Sequence, residues 1–360
     1  MSSSFGHNIR MQVFGQSHSE MLGVVIDGLP AGYAIDLQQV QAFLDRRRGG
    51  QDVYSTARAE ADTPRIVSGL LDGATCGAPL CALFENEDAR SKDYDKLSAV
   101  PRPSHADYYA DEKYFGAQDF RGGGHFSGRM TLALCFAGAI CAQLLERWDV
   151  HVGAHIEQIH HVLDRPYNPL ELNLGDLRYE GFPVNDLAVE ADMKQAILDA
   201  ASEGDSVGGI IECAAIGLPV GAGSPLFAGV ENQLAQAIFA VPAVRGIEFG
   251  AGFDAAAMLG SEHNDAFCIE EGTILHKTNN AGGVVGGLTT GMPLIFRVAF
   301  KPTPSIGKEQ DSVNLETLEN VRLKIEGRHD PCIVPRAVPV IEAATAFVLA
   351  DMLVNSHAEL

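Results

Sequence analysis

Arg121-Gly122-Gly123-Gly124-His125-Phe126-Ser127-Gly128-Arg129 sets a bare glycine loop between two arginines, at the mouth of a long apolar run. Glycine lets the backbone come close to a ligand. The first turn of a helix presents unpaired N–H groups and the positive end of its dipole, which together suit a phosphate. Alone, the run also reads as a plain flexible loop. Other chemistry-bearing groups gather in short segments: Gly15-Gln16-Ser17-His18-Ser19, Arg102-Pro103-Ser104-His105-Ala106-Asp107-Tyr108, Lys301-Pro302-Thr303-Pro304-Ser305 and Gly327-Arg328-His329-Asp330-Pro331-Cys332. An imidazole such as His18 or His105 can move a proton near neutrality, and Asp107 is within reach to orient His105. The plainer alternatives are surface loops with solvated histidines and, for the last segment, a helix entry that Asp330 caps and Pro331 starts. Asn280 to Gly287 supplies two glycine pairs where a flat ligand or another backbone can approach. No Gly-x-Gly-x-x-Gly dinucleotide fingerprint follows a strand. His151, His155, His160 and His161 share a strand-like stretch, but no carboxylate or thiolate nearby in sequence completes a coordination sphere, so no metal is expected.

The formal charge of -21 and pI near 4.9 argue against nucleic acid and against an anionic membrane as partners, since both need a basic face. A small anion remains, provided that the few cations concentrate at one place. With 360 residues, 46% of them hydrophobic, the chain can bury a large core. No shift in composition or Pro/Ser linker divides it, so one domain over residues 1–360 is expected. The apolar run Leu132 to Leu145 is short for a bilayer span, and the N-terminus lacks a secretory signal pattern. The seven cysteines are odd in number and lack Cys-x-x-Cys spacing, as reduced thiols of a cytoplasmic protein would be.

Apolar patterning predicts the elements that must hold these groups. Strands are expected at Leu22 to Asp27, Arg65 to Leu71, Pro79 to Phe84, Val150 to Ile159, Gly208 to Ile216, Val244 to Phe249 and Leu294 to Phe300. Asp36 is placed to cap a helix that ends in Arg46-Arg47-Arg48-Gly49-Gly50. Phe126 to Trp148 reads as a helix apolar on nearly every side, hence a buried central layer. Further helices are expected at Leu187 to Ser202, Val230 to Phe239 and Val338 to Val354. The short links favour antiparallel pairing and an α+β fold. One echo stands out: a strand into Gly28-Leu29-Pro30-Ala31-Gly32 and then a helix returns as a strand into Gly217-Leu218-Pro219-Val220-Gly221 and then a helix. Two internally duplicated halves would explain it.

Taken in order, Gly15-Gln16-Ser17-His18, Asp45-Arg46-Arg47-Arg48, Arg102 to Asp107, Arg121 to Arg129, Lys301-Pro302-Thr303 and Gly327 to Cys332 closely resemble the motif set of the chorismate synthases. The likeness runs from about residue 5 to the C-terminal helix, and the length matches the single-function bacterial form. The resemblance implies a β-α-β sandwich, with helices between two antiparallel sheets, assembled as a homotetramer. It implies a 1,4-elimination from 5-enolpyruvylshikimate 3-phosphate to chorismate and phosphate, the last step of the shikimate pathway, with reduced FMN and no net redox change. An external flavin reductase or other electron source would be the partner.

Residue by residue, His18 matches the family histidine that protonates the departing phosphate, His105 the one that protonates the flavin, and Asp330 the carboxylate that deprotonates flavin N5. Arg102, Arg129 and Arg328 match anion-binding positions, Ser17 a polar contact to substrate, and Arg47 an arginine on the NADP or substrate entry side. Flavin contacts fall on His125, Phe126, Ser127, Ala243, Gly286, Lys301, Pro302, Thr303, Pro304, Ser305 and Arg328. The chain departs from the family pattern at several positions. It has Gln16 for Glu, Ser19 for Gly, His125-Phe126-Ser127 for Arg-Ser-Ser, Val53 for an arginine and Pro242 for Asn. Loss of one charge-assisted contact costs roughly 1.5 to 3 kcal/mol, so weaker flavin binding is expected ahead of lost chemistry. A diverged flavin- or phosphate-binding paralogue without turnover is the alternative reading. A flavin-independent phosphate-ester hydrolase using His18 and His105 comes last, since no nucleophile with a paired base is evident.

Overall fold

Leu22, Val24 and Ile26 alternate along one strand and bury completely, and Leu80, Ala82 and Phe84 do the same on its neighbour. Such period-two patterning leaves one face of a sheet apolar, and that face must be covered. The computed structural model describes residues 3–50, 60–86, 99–179, 181–325 and 330–357. Its first sheet comprises β1 (Ser4–Phe5), β2 (Arg10–Gly15), β3 (Met21–Asp27), β4 (Arg65–Ser68) and β5 (Leu80–Glu85), in the spatial order β1-β2-β3-β5-β4. The second comprises β6 (His151–Ile159), β7 (Val162–Leu163), β8 (Gly209–Ile216), β9 (Val244–Phe249) and β10 (Leu294–Phe300), ordered β9-β10-β8-β6-β7. Every pairing within the two sheets is antiparallel.

Between the sheets lie α1 (Leu37–Asp45), α3 (Thr131–Glu146), α5 (Val230–Phe239) and α6 (Val334–His357), while α2 (Asp107–Tyr114) and α4 (Glu190–Ser202) pack outside this layer. The expected sandwich is therefore present. α3 is buried along nearly its whole length, as all-round apolarity requires. Gly138 is where α3 meets α6: a Cβ there would stand 2.3 Å from both the Cα and the Cβ of Ala343, so only glycine permits this approach. Gly128–Glu146 and Val334–Asn355 are long and apolar enough to cross a membrane, contrary to the expectation for the first run. Their most apolar windows are 83% and 94% buried inside this protein, which makes them core helices.

Two helix starts differ from expectation. The predicted helix from Phe126 begins in earnest only at Thr131, because Gly122, Gly123 and Gly124 take left-handed conformations and Ser127 is extended. α6 starts at Val334 rather than Val338, with Pro339 inside it, so Asp330 does not cap it. Asp36 does cap α1, its Oδ1 accepting from Gln38 N at 2.8 Å and Gln39 N at 3.1 Å.

The two sheets share one connectivity. Strand, strand, helix, strand, strand, helix gives β2-β3-β5-β4 in the first and β6-β8-β10-β9 in the second. The glycine echo has matching geometry. Gly28 and Gly217 have φ of +85° and +81°, and a Cβ on each would stand 2.0 and 1.9 Å from the carbonyl oxygens of Asn8 and Asp149.

On the outer face of the second sheet, His155 is fully buried between two carboxylates. Nδ1 lies 3.1 Å from Asp164 Oδ2 and Nε2 lies 2.8 Å from Glu212 Oε2. Burial alone would lower its pKa, but the hydrogen bonds to Asp164 and Glu212 outweigh it and hold the imidazolium above its ordinary value. Asp164 also accepts from Asn185 N and Asp186 N, so this pair ties residues 164–186 onto the sheet.

Two outcomes follow from these contacts. Gly138→Val should lower stability by on the order of 3 kcal/mol, read as the urea midpoint, and a parental midpoint would rule out the close helix crossing. Because the folded-state pKa of His155 is raised, its contribution is fully present below about pH 6.5 and is lost as pH rises through the folded value. The His155→Gln protein should therefore lack a downward slope of stability between about pH 6.5 and pH 9 that the parent shows. Equal slopes would dismiss the imidazolium.

Candidate functional site

The turn joining β2 to β3 is held by Ser19, whose Oγ accepts from Gln16 N at 2.9 Å and lies 2.9 and 2.7 Å from the carbonyl oxygens of Gln16 and Met21. Asn86 Nδ2 donates to the carbonyls of Gln16 and Ser19 from the end of β5. This fixed turn presents Ser17 and His18, both buried, to the glycine loop. Ser17 N donates to Gly124 O at 3.1 Å, and His125 bridges the same two loops, Nδ1 lying 2.8 Å from Gly15 O and Nε2 2.9 Å from Ser3 Oγ.

The glycines carry the site's geometry. Gly122 and Gly123 have φ of +59° and +82°, a region that glycine enters at no steric cost. A Cβ on Gly122 would stand 2.3 Å from His18 Nδ1 and 2.7 Å from Ser17 Oγ, while one on Gly123 would stand 3.2 Å from His105 Nε2 and 3.7 Å from Arg102 Nη2. Two histidines 87 positions apart in sequence thus lie against consecutive residues of one loop.

His105 belongs to an ion network at the start of α2. Its Nδ1 lies 2.5 Å from Asp107 Oδ1; Arg102 donates to Asp107 Oδ2 from Nε and to Oδ1 from Nη2, each at 2.7 Å. Burial acts to raise the Asp107 pKa, but the hydrogen bonds from Arg102 and His105 outweigh it and hold the carboxyl well below its usual range. Arg102 Nη1 donates to Ser305 Oγ at 3.1 Å, and Thr303 Oγ1 donates to Asp330 O at 2.9 Å. The segment from Lys301 to Ser305 therefore links His105 to Asp330.

Asp330 Oδ2 accepts from Arg336 Nη1 at 2.5 Å, and Arg336 Nε donates to Arg47 O at 3.0 Å. Arg47 and Arg129, buried at 4% and 6% exposure, share the carboxylate of Asp62. Arg47 also donates to Thr131 Oγ1, and Arg129 to Asn86 Oδ1 and Glu85 O. Burial, together with repulsion from Arg336 and Arg129, pushes the Arg47 pKa down to about 10 despite Asp62. Arg46 makes a bidentate pair with Glu342 of α6, at 2.6 and 2.7 Å.

Lys301 differs from these arginines. Its pKa is lowered by burial and by nearby Arg245, and neither cation has a carboxylate partner within ion-pair distance among the described residues. Lys301 N donates to Ala243 O, and Ala243 has a φ of +74°. The site thus holds Ser17, His18, Arg102, His105, Lys301 to Ser305 and Asp330 in one connected set, with Arg47 and Arg129 behind it and Ala243 at its edge. Ser127 follows the glycine loop, its Oγ accepting from Arg129 N, and Phe126 is 41% exposed. Gly286 lies in the turn after Val284–Val285, beside the start of β10. Lys301 follows the end of that strand, about 20 Å away along an extended chain of its length. Arg328 and Val53 lie outside the described residues.

Asp62, Asn86, Arg245 and Arg336 escaped the reading of the sequence. Only Arg336 carried a signal, as the single cation in the first turn of an apolar helix.

The family model for chorismate synthase matches residues 9–354. A chorismate synthase of Thermococcus gammatolerans is 47% identical, with 98% of each chain covered. One of Korarchaeum cryptofilum is 46% identical over 98% of this chain and 97% of its own. A crystal structure of a chorismate synthase superposes with a TM-score of 0.76 at 27% identity, covering 98% of this chain and 93% of that one.

Asp62→Ala would strand two buried guanidinium groups. The expected loss is about 3 to 5 kcal/mol, read by chemical denaturation, because a buried charge left without its partner is that costly. A parental midpoint would mean that Arg47 and Arg129 are neutralised elsewhere.

Proposed function

The chain belongs to the chorismate synthase family, and on that ground we propose that it converts 5-enolpyruvylshikimate 3-phosphate to chorismate and phosphate by 1,4-elimination. The C3–O bond to phosphate and the C6–H bond break, and a new C=C bond forms. The observation that carries this reading is the seating of His18 and His105 against consecutive glycines of one loop, with Asp330 joined to the same network through Thr303. An elimination that expels phosphate and removes a proton needs separate acid and base groups around one substrate.

His18 is the group that hands a proton to the departing phosphate oxygen, with Ser17 beside it as a polar contact. Asp330, oriented by Arg336, accepts a proton on the opposite side of the Lys301 to Ser305 segment. The arginines supply the local positive charge that a multiply anionic substrate requires in so acidic a chain.

The residues fit FMN on one physical ground: Lys301 and Arg245 form a half-buried cation pair with no carboxylate partner among the described residues, which suits a flavin phosphate. Lys301, Thr303 and Ser305 would hold it, with Ala243 at the edge. When bound in its reduced form, FMN supplies an electron transiently and recovers it, so no net oxidation occurs. His125 gives both ring nitrogens to Gly15 and Ser3, so it serves the cofactor by fixing the loop. Phe227, Phe253, Phe267 and Ile269 stand largely exposed, which supports self-association as a homotetramer.

The deciding assay mixes the protein anaerobically with photoreduced FMN and 5-enolpyruvylshikimate 3-phosphate, beside a control with oxidised FMN. Chorismate is expected only with reduced flavin. Flavin binding without chorismate would move the reading to a binding paralogue, and phosphate release without flavin to a hydrolase. His18→Ala and His105→Ala should each lower kcat by about a hundredfold or more while FMN affinity changes less than about threefold. Parental turnover in either variant would remove that histidine from proton transfer.

A further inference from the structure

Beside His105, two donors converge on one oxygen. His105 Nδ1 lies 2.5 Å and Arg102 Nη2 2.7 Å from Asp107 Oδ1, and these two nitrogens are 3.1 Å apart. A guanidinium only donates, and an ionised carboxylate only accepts. Were Nδ1 bare, its lone pair would face a carboxylate lone pair at 2.5 Å with no proton between them. Nδ1 must therefore carry the proton and donate to Oδ1. The short approach of Arg102 to His105 is then two donors sharing an acceptor rather than a bond between the two side chains.

That assignment leaves Nε2 as the functional edge of the ring. It faces the glycine loop, where a Cβ on Gly123 would stand 3.2 Å away. Asp107 cannot swing away easily, because Arg102 also grips Oδ2 with its backbone N at 3.1 Å and with Nε at 2.7 Å, and is itself tied to Ser305. The side chains of Asp107 and Arg102 are only 9% and 6% exposed, so solvent does little to loosen them.

We propose that Asp107 is a positioning residue that fixes the neutral His105 ring as the Nδ1–H tautomer, so that protons pass to and from a ligand through Nε2 alone. Arg102 acts in the resting protein as the counter-ion of Asp107. The consequence for turnover rests on the reading of His105 as a proton donor in the elimination; the tautomer itself does not.

Asp107→Asn separates the two. Arg102 keeps its claim on the side-chain oxygen, which turns the amide NH2 toward Nδ1 and forces the ring into the Nε2–H tautomer. The measurement is a long-range 1H–15N correlation spectrum of protein labelled with 15N-histidine, at a pH where the ring is neutral, with His105 assigned by its loss in His105→Gln. The parent should show Nδ1–H and the Asp107→Asn protein Nε2–H. Asp107→Asn should lower kcat about tenfold or more with KM and FMN affinity within about twofold, and Asp107→Glu should recover part of both the tautomer and the rate. An Nε2–H ring in the parent overturns the proposal, whether or not the variant folds, as does an unchanged tautomer in a folded Asp107→Asn protein. A parent with the expected tautomer that makes no chorismate from reduced FMN and substrate would instead overturn the functional reading and leave the positioning role standing.

Discussion

Everything at the site depends on two buried helices beginning at the same place. Thr131, the first residue of α3, accepts from Arg47, and Arg336, in the first turn of α6, donates to the carbonyl of Arg47. Both helix N-termini therefore meet the end of α1, and the contact of Gly138 with Ala343 keeps them close along the core. Each N-terminus carries unpaired N–H groups and the positive end of a dipole. The segments that precede the two helices are the glycine loop and the Asp330 turn. The packing of the core thus decides which loops face each other, and those loops carry the chemistry.

Gathering cations there requires that each be neutralised while no ligand is bound. Arg46 has Glu342, Arg47 and Arg129 share Asp62, Arg102 has Asp107 and Arg336 has Asp330. Buried guanidinium groups are tolerable only when paired in this way. An anionic ligand therefore does not meet bare arginines; it meets a fixed lattice of ion pairs whose outer donors it shares. Lys301 and Arg245 stand outside that lattice, which is why they are the better candidates for a phosphate that comes and goes with a cofactor.

Much of this was legible in the sequence because it is local. The strands at Val244–Phe249 and Leu294–Phe300 and the helix at Val230–Phe239 match their apolar patterns residue for residue. The buried central helix followed from its all-round apolarity. What could not be read depends on partners far away. Asp62 matters because it stands between Arg47 and Arg129, and Arg336 because it bridges to a residue 289 positions earlier. The late start of α3 reflects three left-handed glycines, whose conformation is set by the histidines packed on them rather than by their own preference. The glycine echo was visible as a pattern, but the shared order of the two sheets was not, since pairing between distant strands leaves no local mark.

The departures from the family pattern acquire a common physical sense once the loops are in place. Ser19, where the family has glycine, bonds three backbone groups of the turn that carries Ser17 and His18. His125, where the family has arginine, joins the glycine loop to Gly15 and to Ser3. Both changes convert groups that could have reached a ligand into groups that hold the backbone. A loop held by its own hydrogen bonds has less conformational freedom to lose when a ligand arrives. Preorganisation therefore offsets some of the direct contact that the substitutions remove, and the offset acts on the turn and loop that bear the two histidines.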